Sequence, residues 1–218
     1  MMTFLAITVF WVLLGFVYGN ALEWVIHKKI LHDLGKKKGS VWSFHWKHHK
    51  ASRKCNFKDD RWGDIPFYKD REFLGMIALL VAHIPTWWIS PVFFITLVWR
   101  ALDYYRVHKK SHEDQEWAKN YVPWHWDHHM GPREAANANW CVTFPLFDYI
   151  MGTRVKYYGT KKYYLDVAKK SSRALRKIKD GKDFKRMERV RKRGRKNKDL
   201  LNEDKDHCKK AGGCGCGY

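Results

Sequence analysis

The stretch His45–His49 reads HWKHH, and further along the chain His125–His129 reads HWDHH. Each places imidazoles at i, i+3 and i+4, positions that share one side of a helix. Two histidine pairs accompany them: His27 with His32 in HKKILH, and His108 with His112 in HKKSH. Imidazole is a borderline ligand that suits zinc, copper, iron and nickel. Ten imidazoles exceed the four that one structural zinc takes. The acidic Glu-x-x-His sets of soluble di-iron bundles are not visible here.

The clusters repeat in order. Twelve residues separate His32 from His45, and twelve separate His112 from His125. Each half therefore runs from an apolar segment through a histidine pair and a spacer to HWxHH. Two half-sites of five imidazoles suggest two metals. His108 and His112, four apart, share a helical face. His27 and His32, five apart, sit about 140° apart on an ideal helix. Either they serve two ions or the helix unwinds between them. His83, alone in an apolar arm, reads as a hydrogen-bonded membrane histidine, and His207 as a solvated tail residue.

These clusters need elements to place them. Residues 1–22 carry no charged side chain, and about twenty apolar residues cross a hydrocarbon core. No basic start or clear cleavage site marks a signal peptide, so a retained first membrane helix is expected over 1–26. Residues 73–106 are apolar again, broken by Pro85 and Pro91 around Trp87 and Trp88. That pattern predicts a membrane hairpin with arms of roughly 24 Å, short for a full span. Residues 27–72 and 107–153 would form a cytosolic histidine cap. The fold expected is all-α: an integral membrane protein with about three transmembrane or re-entrant helices, one span plus a hairpin, under a helical cap. The membrane and cap region would cover 1–153, with a separate basic tail over 154–218.

Composition agrees. The 218 residues carry a net charge of +20 beside 16% aromatics, including twelve Trp. Trp and Tyr collect at membrane–water interfaces. From Arg154 onward there are 23 basic and 8 acidic residues, so most of the charge lies in the tail. There Leu165, Ala168, Leu175 and Ile178 recur among lysines, suggesting an amphipathic helix on an anionic lipid surface. The run KRMERVRKRGRK could meet nucleic acid. Membrane helices upstream make lipid the simpler partner, and no nucleic acid is expected. Basic loops lie on the cytoplasmic side, which places the 28–72 loop, the tail and both HWxHH stretches there. Five cysteines, an odd number without framework spacing, argue against a disulfide scaffold. Cys208, Cys214 and Cys216 could be acylated or bind metal, but read more simply as incidental thiols.

The four clusters resemble those of the fatty acid hydroxylase/sterol desaturase superfamily of integral-membrane histidine-rich di-iron oxygenases. The segment NWCVTFPLFDYIMGTR, residues 139–154, resembles its closing segment. The resemblance implies an oxygen-dependent oxidoreductase, a di-iron hydroxylase acting on a fatty acyl, sphingolipid or sterol-like substrate in the ER or bacterial inner membrane. It implies that His27, His32, His45, His48, His49, His108, His112, His125, His128 and His129 are the metal ligands. Two iron ions (or zinc as purified), O2, and electrons from an external reductase or redox protein would complete the site. One helix stands where members carry a first hairpin, and no electron-carrier domain is fused.

Asp127 and Asp148 are read either as acceptors that fix imidazole tautomers or as solvated or capping carboxylates. Glu23, one turn before His27, would pair with a lysine or hydrogen-bond a ligand, since facing lipid would be costly. Trp46 and Trp126 would anchor the interface or wall the site. Carotenoid ring hydroxylase and lipid desaturase are alternatives with the same mechanism. A membrane metal-binding or transport protein is the alternative of a different class, and would want ligands inside the spans.

Overall fold

The computed structural model describes residues 2–59 and 66–179. It divides between Lys156 and Tyr157 into two compact units. Among the described residues the fold is all-helical, without strands. The tail cysteines, His207 and the run 185–196 lie outside the described residues.

Helix α1 spans Met2–Val25 and continues without a break into a π-helix, Ile26–Leu34. Together they make a helix over Thr3–Leu34, 32 residues long, and it alone among the described residues is long and apolar enough to cross a membrane. Phe4, Leu5, Ile7, Phe10 and Leu13 stand exposed along it, which suits hydrocarbon and not water. A short turn and a 3-10 turn, Val41–Ser43, lead to α2, Phe44–Lys54, which carries the first HWxHH.

The apolar hairpin segment resolves into α3 (Arg71–Ala82), α4 (Thr86–Ile89) and α5 (Pro91–Glu113). Asp70 caps α3 by accepting from Glu72 N, and Ser90 caps α5 by accepting from Phe93 N with Pro91 in the first turn. The arms are unequal, unlike the near-equal arms expected. The 23 residues of α5 reach about 35 Å, because the helix runs past the apolar stretch to carry His108 and His112.

Helices α1 and α5 pack through Gly15 and Gly19, one turn apart. A Cβ at Gly15 would come within 2.9 Å of Thr96, and one at Gly19 within 3.2 Å of Arg100. Small residues at this spacing let two helices approach closely. Arg100, buried in that seam, is paired with Glu23 at 3.2 Å.

Four short helices close the unit: α6 (Gln115–Tyr121), α7 (Pro123–Met130) with the second HWxHH, α8 (Arg133–Ala136) and α9 (Leu146–Ile150). The loop between α8 and α9 packs Trp140 and Cys141 on Trp24. Asn139 there holds φ +59, a conformation Asn tolerates better than most residues. Its side-chain oxygen accepts from Val155 N at 2.9 Å.

The second unit is described through one helix, α10, Lys161–Lys179. Thr160 caps it, accepting from Tyr163 N. Tyr164, Leu165 and Val167 are exposed among eight basic residues and one acidic residue.

Candidate metal centre

The π-helix answers how His27 and His32 meet. Its i→i+5 hydrogen bonding, continued by Gly35 N donating to Ile30 O at 3.0 Å, widens the turn. Residues five apart then face the same way, and the two rings lie 5.1 Å apart centre to centre. The helix is rewound, neither regular nor unwound.

All ten clustered histidines are buried. Nine form two groups whose ligand atoms lie within 4.8 Å of one another: His27, His32, His45, His49 and His128 in one, His48, His108, His112 and His129 in the other. His125 borders the second group, its Nε2 3.2 Å from that of His112. The groups do not follow the sequence halves. His48 crosses from the first half to the second group, and His128 from the second half to the first. Helix geometry is the reason: i+3 and i+4 point about 100° apart, so His48 and His49 look toward different centres. Each group is thereby built from both halves.

Ring orientation is set from outside. His27 Nδ1 donates to the carbonyl of Trp140 at 2.5 Å, His112 Nδ1 to that of Phe57 at 2.7 Å, and His128 Nδ1 to that of Ala138 at 2.7 Å. His48 Nδ1 is bonded to the Asp59 carboxylate, and His108 Nδ1 to Glu72 Oε1 at 2.5 Å. Carbonyls and carboxylates only accept, so the proton sits on Nδ1 and each Nε2 turns a lone pair inward. Phe57 holds φ +77, rare for a bulky residue, and its carbonyl is the one facing His112.

The Nε2 atoms of His48 and His108 lie 3.2 Å apart, two lone pairs with no proton between them. In the first group the corresponding separations run from 3.0 Å (His27 to His45) to 3.2 Å (His128 to His49). Two nitrogens each about 2.1 Å from one ion lie about 3.0 Å apart at a right angle and about 3.4 Å apart in a tetrahedron. Buried His129 has no hydrogen-bond partner at either ring nitrogen among the described residues. A donor set of this kind fits metal ions. Burial first, then repulsion by neighbouring imidazoles, holds His45, His49, His125 and His129 well below the ordinary imidazole pKa. They stay neutral, which is the ligating form.

The three carboxylates singled out in the sequence sit further out. Asp148 accepts from Trp140 N and Cys141 N at 2.8 Å and from Thr153 Oγ1 at 2.7 Å. Glu23 accepts from Thr143 N at 2.8 Å, and from Arg100 rather than from a lysine. Both brace the loop whose Trp140 carbonyl orients His27. Asp127 is buried 3.6 Å from Arg154. Trp46 lies against His32, ring centres 4.8 Å apart, and Lys36 Nζ lies over the Trp46 ring, 4.9 Å from its centre. Asp59 and Glu72 were not singled out. No local signal in the sequence joins either carboxylate to its histidine.

Beside the first group lies a cavity of about 380 Å³, lined mainly by apolar side chains of α1, α3 and α5. His27 and Glu72 line it as well.

Two outcomes are expected. Glu72→Ala and Asp59→Ala should each weaken one of two bound metal ions by about tenfold to a hundredfold, in chelator competition. Equal weakening of both ions, or of neither, would contradict the assignment of these carboxylates to the second group. Metal-free protein should also lose stability as pH falls below about 6.5, the unfolded imidazole value. The unfolded chain binds protons that the folded imidazoles refuse. Thermal melts of chelator-treated protein from neutral to acid pH check this, and a flat profile would contradict it.

A family model described as fatty acid hydroxylase matches residues 12–153, a span that includes all ten clustered histidines. Comparison with curated proteins and with solved structures gives no match. The matched span covers more than half of the chain, and with the buried histidine groups it places the protein: it belongs to the fatty acid hydroxylase family, within the fatty acid hydroxylase/sterol desaturase superfamily.

Proposed function

We propose that the protein is an O2-dependent di-iron hydroxylase of a membrane lipid with an alkyl chain. The carrying observation is the juxtaposition of two buried imidazole groups with an apolar cavity that His27 and Glu72 both line. Bound iron would supply the O2 activation that an unactivated C–H bond demands. His27, His32, His45, His49 and His128 would hold one ion, and His48, His108, His112 and His129 the other, with His125 completing the second set.

The chain's own residues do the rest. Trp140, Ala138 and Phe57 carbonyls and the Asp59 and Glu72 carboxylates keep Nδ1 of His27, His128, His112, His48 and His108 protonated and those five rings aimed. Tyr104 donates to Glu72 at 2.7 Å and lines the cavity, joining the alkyl slot to the metal ligands. Leu22, Leu79 and Leu97 exclude water from the slot. Desaturation is the second reading, since removing a second hydrogen in place of oxygen transfer needs no different ligands.

The basic loop and tail argue for a cytoplasmic cap, where an external redox protein would deliver electrons. The exposed apolar side chains of α10 among its lysines support contact with an anionic leaflet.

Expression with a reductase, followed by mass spectrometry of total lipid, tests the reading. A lipid class gaining one oxygen only with the intact chain, and not with His128→Ala, is the expected result. Loss of two hydrogens instead would make it a desaturase. Oxidised lipid that persists undiminished with His128→Ala would contradict the reading.

A further inference from the structure

We propose that His83, held from behind by Tyr18, is the floor of the alkyl slot and sets how much chain fits beyond the reacting carbon. The inference rests on the lipid-oxygenase reading for its purpose, but not for its geometry.

The cavity has two distinct ends. At one end are His27, Glu72 and Tyr104; at the other is His83, the histidine that joins neither metal group. His83 Nδ1 donates to the Leu79 carbonyl at 2.8 Å, so its Nε2 accepts, and the Tyr18 hydroxyl lies 2.9 Å from it. The pair therefore bridges α1 to the C-terminal end of α3, and the second bond to Leu79 orients the His83 ring. The two helices set the depth. Tyr18 and His27 lie nine positions apart along α1 and its extension, about 13 Å, and Glu72 and His83 lie eleven positions apart along α3, about 16 Å. An extended chain advances roughly 1.2 Å per bond, so about eleven to thirteen bonds fit between the ends.

Gly75 marks the other requirement. A Cβ there would meet only Trp42, at 3.8 Å, so packing does not demand glycine. Glycine inside a helix costs about 1 kcal/mol against alanine. Lining the cavity one turn from Glu72, it keeps the slot wide next to the ligands. The volume lies at the small end of ligand pockets, and its lining runs from Glu72 to His83 along α3, which suits one unbranched chain better than fused rings.

The test is binding of saturated fatty acids, octanoate to icosanoate, to the purified full-length protein, read by native mass spectrometry. Affinity should rise about fourfold per methylene up to a limiting length and then stop rising. His83→Ala should move that limit to longer chains. Ala101→Phe, which narrows the slot from α5, should move it to shorter ones and gives an independent reading if His83→Ala does not fold. No limiting length, or one unmoved by the folded variants, overturns the inference. A limit that moves in a protein whose intact form oxidises no lipid leaves the floor in place and removes the oxygenase reading instead.

Discussion

Two imidazole nitrogens that present lone pairs to each other across 3.2 Å, as His48 and His108 do, cannot hydrogen-bond. The arrangement repels unless a cation lies between them, and protonating one ring instead would bury a charge. The chain assembles ten such rings in a buried space. The rest of the fold is explained by what it takes to hold them neutral, aimed and dry. Backbone carbonyls and two carboxylates occupy the outer nitrogens of five of them. The carbonyls come from Phe57, Ala138 and Trp140, in the turns and loop that follow α2 and α8, so the cap's short helices are joined by segments that orient the rings.

The support reaches far from the rings. Glu23 and Asp148 never touch a histidine among their hydrogen-bond partners, yet they pin residues 140–143 from both sides. That loop presents the Trp140 carbonyl to His27. Arg100 neutralises Glu23 in the seam between the two longest helices. A buried ion pair contributes little stability in itself. Its value here is register: it locks α1 against α5, and the π-helix that continues α1 and the end of α5 carry histidines of different groups.

Much of this was legible in the residues. Charge and hydropathy marked the helix that is long and apolar enough to cross a membrane, and the i, i+3, i+4 spacing marked the HWxHH faces. The π-helix was not legible, because nothing local distinguishes an i→i+5 turn from a regular one. The five-residue gap between His27 and His32 was the clue, and it was consistent with two answers. The exchange of His48 and His128 between groups was hidden differently. Residues at i+3 and i+4 share a side of the helix but still diverge by about 100°, enough to serve two centres. Asp59 and Glu72 were out of reach because their histidines lie 11 and 36 residues away, and only tertiary packing joins them.

The central claim is that two histidine groups, each drawn from both halves of the chain, hold one ion apiece. Metal content of the purified, iron-reconstituted protein tests it most directly, compared with a variant in which His108 and His112 are both alanine. Two ions per chain in the intact protein and one in the variant are expected, since both residues belong to the same group. A single ion in the intact protein, or loss of both ions in a variant that remains folded, would contradict it.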